Sequence, residues 1–127
     1  MKEKGIHDGH RQRLRQRFID CSLDTFSDHE VIELMLTYAI PRRDVNELAH
    51  RVLDHFGSFS AVLDASVEEL CRVEGISTNS AVLFSLHAQV AKRYMMDRNK
   101  ERLQINNIMS VFEFGKSLYH FIVLHLF

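Results

Sequence analysis

Ser27-Asp28-His29-Glu30-Val31-Ile32-Glu33-Leu34-Met35-Leu36-Thr37-Tyr38-Ala39-Ile40-Pro41 is the stretch that decides the fold. Ser27 is a good N-cap, and Glu30 three residues on completes a capping box. Val31, Leu34, Met35 and Tyr38 recur at the i, i+3, i+4, i+7 spacing of a helix. Ile32, Leu36 and Ala39 widen that stripe until most of the circumference is apolar, the pattern of a helix at the centre of a bundle. Pro41 ends it, because the residue before proline is pushed out of the helical region.

Helical patterns flank this segment on both sides. A first helix is expected from Asp8 or Gly9 to about Ile19, with Leu14 and Phe18 recurring at helical spacing among four arginines; Ser22 to Thr25 break it. Asp44 is placed to cap a third helix that buries Val45, Leu48, Ala49, Val52 and Phe56, and Gly57 stops it. Ser58 or Ser60 opens a short helix over Ala61-Val62-Leu63. Ser66 and Glu69 form a second capping box, with Val67, Leu70 and Val73 inward and Cys71 expected as a small buried apolar side chain. Glu74-Gly75-Ile76-Ser77 reads as a tight turn. A longer helix then begins at Thr78 or Asn79, with Ala81, Val82, Leu83, Leu86, Val90 and Tyr94 as its apolar side. It fades into the polar stretch Met95 to Arg102, a fraying helix end or a linker.

The character changes after Leu103. Ile105 to Ile108 reads as a loop, Val111 to Tyr119 as a helix, and His120 to Phe127 as a buried strand. A lone strand has no ladder partner, so the reading is a truncated chain or a strand that pairs with another copy. A C-terminal helix packed on the bundle is the alternative. The expected fold is all-α: a small helical bundle over residues 1–103 with a helix-hairpin-helix element near 66–94. Residues 104–127 would be a short helix-strand fragment, the start of an incomplete α/β domain.

Composition narrows the function classes. The 127 residues are 46% hydrophobic and 26% charged, with a net charge of −1, which suits a soluble globular chain and argues against disorder. No apolar run reaches the roughly 18 residues of a membrane span, and the polar N-terminus is no signal peptide. Cys21 and Cys71 lie far apart without CxxC spacing, which fits a reduced, cytoplasmic setting. The charge is uneven. Residues 1–17 hold six basic against two acidic side chains, and the remainder holds ten basic against fifteen acidic.

Two features point to nucleic acid. In the Gly75-Ile76-Ser77 turn, glycine permits positive φ, the apolar residue plugs the core, and the next residues present N–H groups at a helix N-terminus, where a phosphate is attracted. Such contact reads backbone and little sequence. An ordinary helix-turn-helix corner is the plainer reading, and Glu68, Glu69 and Glu74 beside the turn would repel phosphate. The second feature is Arg11, Arg13, Arg15 and Arg17. Arg11 and Arg15, like Arg13 and Arg17, are i, i+4 neighbours that repel unless an anion is near. That anion is either phosphate or one of Asp20, Asp24, Asp28, Glu30 and Glu33. Arg42-Arg43 form a smaller basic spot on a loop. The eight histidines show no convincing ligand spacing, so no metal and no cofactor is expected. No HExxH, P-loop or GxSxG motif is present, so no catalytic residues are assigned.

Asp8-Gly9-His10-Arg11-Gln12-Arg13-Leu14-Arg15-Gln16-Arg17-Phe18, Asp28-His29-Glu30, Leu34 to Asn46, Phe56 to Ala65 and Val73-Glu74-Gly75-Ile76 together resemble the N-terminal region of the RadC-like family, over about residues 5–95. The resemblance implies a two-part protein: a helical domain with a helix-hairpin-helix, then a JAMM/MPN-type domain with a His-x-His-Pro-Ser-Gly metal motif. The sequence ends before that motif, and His120 and His125 do not match it. The family label of DNA repair makes DNA association plausible. Ser77 departs from the usual second glycine.

The expected function is therefore a non-enzymatic, non-sequence-specific DNA-binding module. Gly75, Ile76, Ser77 and Asn79 would make the contact, and Arg11, Arg13, Arg15 and Arg17 the long-range attraction. The alternative is a protein-interaction or regulatory domain that positions a JAMM-type metallopeptidase domain. Self-association through the C-terminal strand is a further expectation, and no membrane partner is expected.

Overall fold

The computed structural model describes residues 6–106 and, beyond them, Ile122, Leu124 and His125. Six helices follow in chain order: α1 Ile6–Cys21, α2 Asp28–Ala39, α3 Asn46–Phe56, α4 Phe59–Asp64, α5 Val67–Cys71 and α6 Thr78–Asn106. No strand occurs among the described residues. The chain divides into two units, Met1–Ala88 and Gln89–Phe127.

In the first unit, α2 is central. Every residue from Ile32 to Thr37 is buried, so this helix packs on all sides, as its apolar circumference predicts. The capping box closes as expected: the Ser27 N–H and Ser27 Oγ donate to Glu30 Oε1 at 3.1 and 2.9 Å. Around α2 lie Val45, Leu48, Ala49 and Val52 of the α3 segment, Val62 and Ala65, then Leu70, Val73 and Ile76, and finally Ala81 and Phe84 of α6. Each fully buried Val, Leu, Ile or Phe side chain contributes roughly 1.5–3 kcal/mol. Gly57 ends α3 in the left-handed region at φ 89°, and Ser58 and Ser66 cap α4 and α5 by accepting from the N–H groups of Ala61 and Glu69.

The structure corrects several expectations. Asp44 caps α3 from one position further out than expected: Val45 holds the N-cap position, and Asp44 Oδ1 accepts the N–H of Asn46, the first residue of the helix, at 3.1 Å. Tyr38 is 65% exposed, because a helix buried over Ile32–Thr37 emerges from the core at its last turn. Phe18 is likewise exposed. Cys71 is exposed rather than buried, since Leu70 and Val73 fill the core side of that segment. On α6, Ala81 and Phe84 are buried, whereas Val82, Leu86, Val90 and Tyr94 are exposed; the i+4 row that looked apolar is not the row that packs. Met95 to Arg102 is neither a frayed end nor a linker, because α6 continues to Asn106.

The expected loop over 105–108, apart from Ile105 and Asn106 within α6, and the helix over 111–119 lie outside the described residues. The expected strand over 120–127 is not seen where the chain is described. Ile122, Leu124 and His125 are helical.

Candidate nucleic-acid interface

The α5–α6 turn is built from a glycine that nothing else can replace without strain. Gly75 sits at φ 95°, a region that costs an L-residue roughly 1–2 kcal/mol. A Cβ there would also meet Leu48 Cδ1 at 2.9 Å. Ile76 is buried beside it, and its N–H donates to the Val73 carbonyl at 3.1 Å. The Ser77 carbonyl accepts the first α6 bond, from the Ala81 N–H at 3.0 Å. Ser77, Thr78 and Asn79 are exposed, so the opening turn of α6 faces solvent.

Arg51 of α3 completes this corner. Its Nη1 donates to the Glu74 carbonyl at 2.9 Å, and its Nη2 lies 3.6 Å from Glu47. Sequence reasoning missed Arg51, because nothing in its spacing says that α3 passes beneath the turn. The acidic rim is present too, with Glu68, Glu69 and Glu74 exposed and Glu68 set 3.5 Å from Arg72. At the core side of the same turn, Ser80 Oγ is buried without a hydrogen-bond partner.

The four α1 arginines do not form one basic face. Arg11 is 6% exposed. Its Nη1 donates to the Thr37 carbonyl at 2.9 Å, and its Nη2 donates to the Arg43 carbonyl, so it fastens α1 to the end of α2 and to the following loop. Arg17 pairs with Glu30 at 2.8 Å, donates to the Thr25 carbonyl at 3.1 Å and covers the Phe26 ring. The hydrogen bond from Arg17, aided by the Ser27 N–H, holds the Glu30 carboxyl down at about 2; the same bond raises the Arg17 guanidinium further. Arg15 lies over the Tyr38 ring at 4.7 Å. Arg13 alone stands exposed.

A second cluster had no sequence signal. Glu33 is 1% exposed, and its two oxygens accept from His10 Nε2 at 2.7 Å and Asn46 Nδ2 at 3.1 Å. A carboxylate in the core of α2 thereby ties α1 to α3, with one partner on each oxygen. His29 and His50 stack at 4.1 Å. Among the described residues, no group of three or more His, Cys, Asp or Glu is placed to hold a metal ion. No helix there is long and apolar enough to cross a membrane.

The profile described as UPF0758 N-terminal matches residues 8–82. The chain belongs to the UPF0758 family, which is the RadC family. A UPF0758 protein of Fusobacterium nucleatum is 34% identical over 114 residues, covering 84% of this chain and 49% of the relative. Another UPF0758 protein, from Ruegeria pomeroyi, is 43% identical over 89 residues, covering 70% of this chain and 39% of the relative. The chain thus spans half or less of the length of these UPF0758 relatives. No solved structure matches it. The matched region runs from α1 into the start of α6 and includes both the arginine series and the Gly75 turn.

Proposed function

We propose that this UPF0758 chain is a non-enzymatic module that contacts the DNA backbone without reading sequence, through a helix-hairpin-helix made by α5, the Gly75 turn and α6. The observation that carries the reading is the turn itself. Gly75 is left-handed with no room for a Cβ, Ile76 anchors it, and the exposed N–H groups that open α6 meet phosphate where the helix dipole is positive. Arg51 adds a cation at the same corner. Of the arginine series, Arg13 is the member free to add long-range attraction. The role in DNA repair and the cytoplasmic setting belong to this reading.

The alternative, a protein-facing domain that positions a JAMM-type metallopeptidase domain, is favoured by a specific observation. Glu68, Glu69 and Glu74 rim the turn, while Arg11 and Arg17 are engaged internally.

Fluorescence anisotropy with labelled duplex and branched DNA over a salt series separates the two. Ser77→Glu is the decisive variant, since an acidic residue there suits the helix dipole but repels phosphate. Under the DNA reading the wild type binds, binding falls with salt, and Ser77→Glu loses at least tenfold. Absence of binding at low salt, or an unaffected Ser77→Glu variant, leaves the protein-facing reading.

A further inference from the structure

One corner of the first unit is not used by the Gly75 turn. Arg11 bridges the carbonyls of Thr37 and Arg43, which draws the last turn of α2 and the Pro41-Arg42-Arg43 loop against α1. Tyr38, adjacent to Thr37, emerges there 65% exposed. Arg15 lies over one face of its ring at 4.7 Å and leaves most of the ring in solvent. Arg42 and Arg43 are exposed beside it, and among the described residues neither guanidinium is engaged in a hydrogen bond or ion pair.

The two cations outnumber the one exposed acid of the loop, Asp44. Glu33 is buried and accepts from His10 and Asn46. Asp44 accepts the Asn46 N–H. The corner therefore offers an exposed aromatic ring held from one side by a guanidinium, with two free cations on a proline-stiffened loop.

We propose that this corner binds single-stranded nucleic acid, with a base stacked on Tyr38 and the flanking phosphates held by Arg42 and Arg43. An aromatic platform flanked by cations is the arrangement that takes unpaired bases. A duplex hides its base faces and gains nothing from Tyr38. The proposal is independent of the Gly75 turn, whose ligand is a phosphate backbone.

The test uses the full chain and fluorescein-labelled oligothymidylate, with an abasic oligomer of equal length as a second probe. Tyr38→Ala is expected to weaken oligothymidylate binding about tenfold, in line with stacking on one base, and to leave abasic binding unchanged. Arg42→Ala with Arg43→Ala is expected to weaken both probes and to lower the salt slope by about 1.4, the value for two phosphate contacts on a single strand. All three positions are surface-exposed, and thermal unfolding of each variant checks that the fold is retained. Ser77→Glu should leave oligothymidylate binding intact, so failure at the turn and failure here are distinguishable. Equal binding of both probes by the wild type, no loss in Tyr38→Ala, or no binding at low salt would overturn the proposal.

Discussion

In α1 the cations turn inward, whereas at the α5–α6 turn the polar groups turn outward. Arg11 is buried against two carbonyls and Arg17 is paired with Glu30. Ser77, Thr78 and Asn79 open a long helix with their side chains in solvent. The region with the highest density of positive charge in the sequence is thus mostly structural. The region with an acidic rim presents the open helix terminus. Charge along a sequence measures what is available for pairing and not what remains free once the chain has folded; burial and backbone geometry decide that.

Several substitutions would break or sharpen this contrast. The largest effect is expected at Arg11. Arg11→Ala leaves the Thr37 and Arg43 carbonyls without their donor and should cost about 3 kcal/mol in urea unfolding. Arg13→Ala, on the same helix but exposed, should stay within about 0.5 kcal/mol. Equal losses would mean that the series acts as one unit. Next come the two left-handed glycines. Gly75→Ala should cost about 2–3 kcal/mol, combining positive φ with the contact to Leu48. Gly57→Ala meets no atom within 4 Å and should cost about 1 kcal/mol.

A smaller effect follows from the Arg17–Glu30 pair. Glu30 titrates at about 2 in the fold, below the roughly 4.3 of an unfolded glutamate. Its contribution is complete above the unfolded value and is lost as pH falls toward 2. Because the pair is open to solvent, screening keeps the contribution small. Arg17→Gln should therefore cost more stability at pH 6 than at pH 2, where the loss of the Thr25 carbonyl bond and the Phe26 contact remains. The smallest effect is at the turn: Ser80→Ala removes a buried hydroxyl without a partner and should raise stability by about 0.5 kcal/mol in thermal unfolding.

Much of the fold was legible because local signals agreed with one another. The capping box of Ser27 and Glu30, the caps at Ser58 and Ser66, and the stop at Gly57 all lie where residue type and spacing place them. The apolar circumference of α2 placed it at the centre. The α6 face was misread because Val82, Leu86, Val90 and Tyr94 form a regular row, and periodicity names a row without saying which row meets a neighbour. Cys71 was misread for the same reason.

Within the candidate interface, Gly75 and Ile76 were legible from the turn chemistry alone. The engagement of Arg11, the seat of Arg51 beneath Glu74 and the His10–Glu33–Asn46 cluster were not. Each joins residues 23 or more positions apart, or passes through a backbone carbonyl, and a carbonyl carries no sequence signature.

The most direct test of the central claim is a titration of the isotopically labelled chain with a short DNA duplex, followed amide by amide in two-dimensional NMR. The account predicts shifts concentrated on Gly75 to Asn79, with the amides of α1 around Arg11 and Arg17 unmoved. Shifts that follow α1 and leave the turn untouched would contradict it, as would a spectrum that does not respond to DNA at low salt.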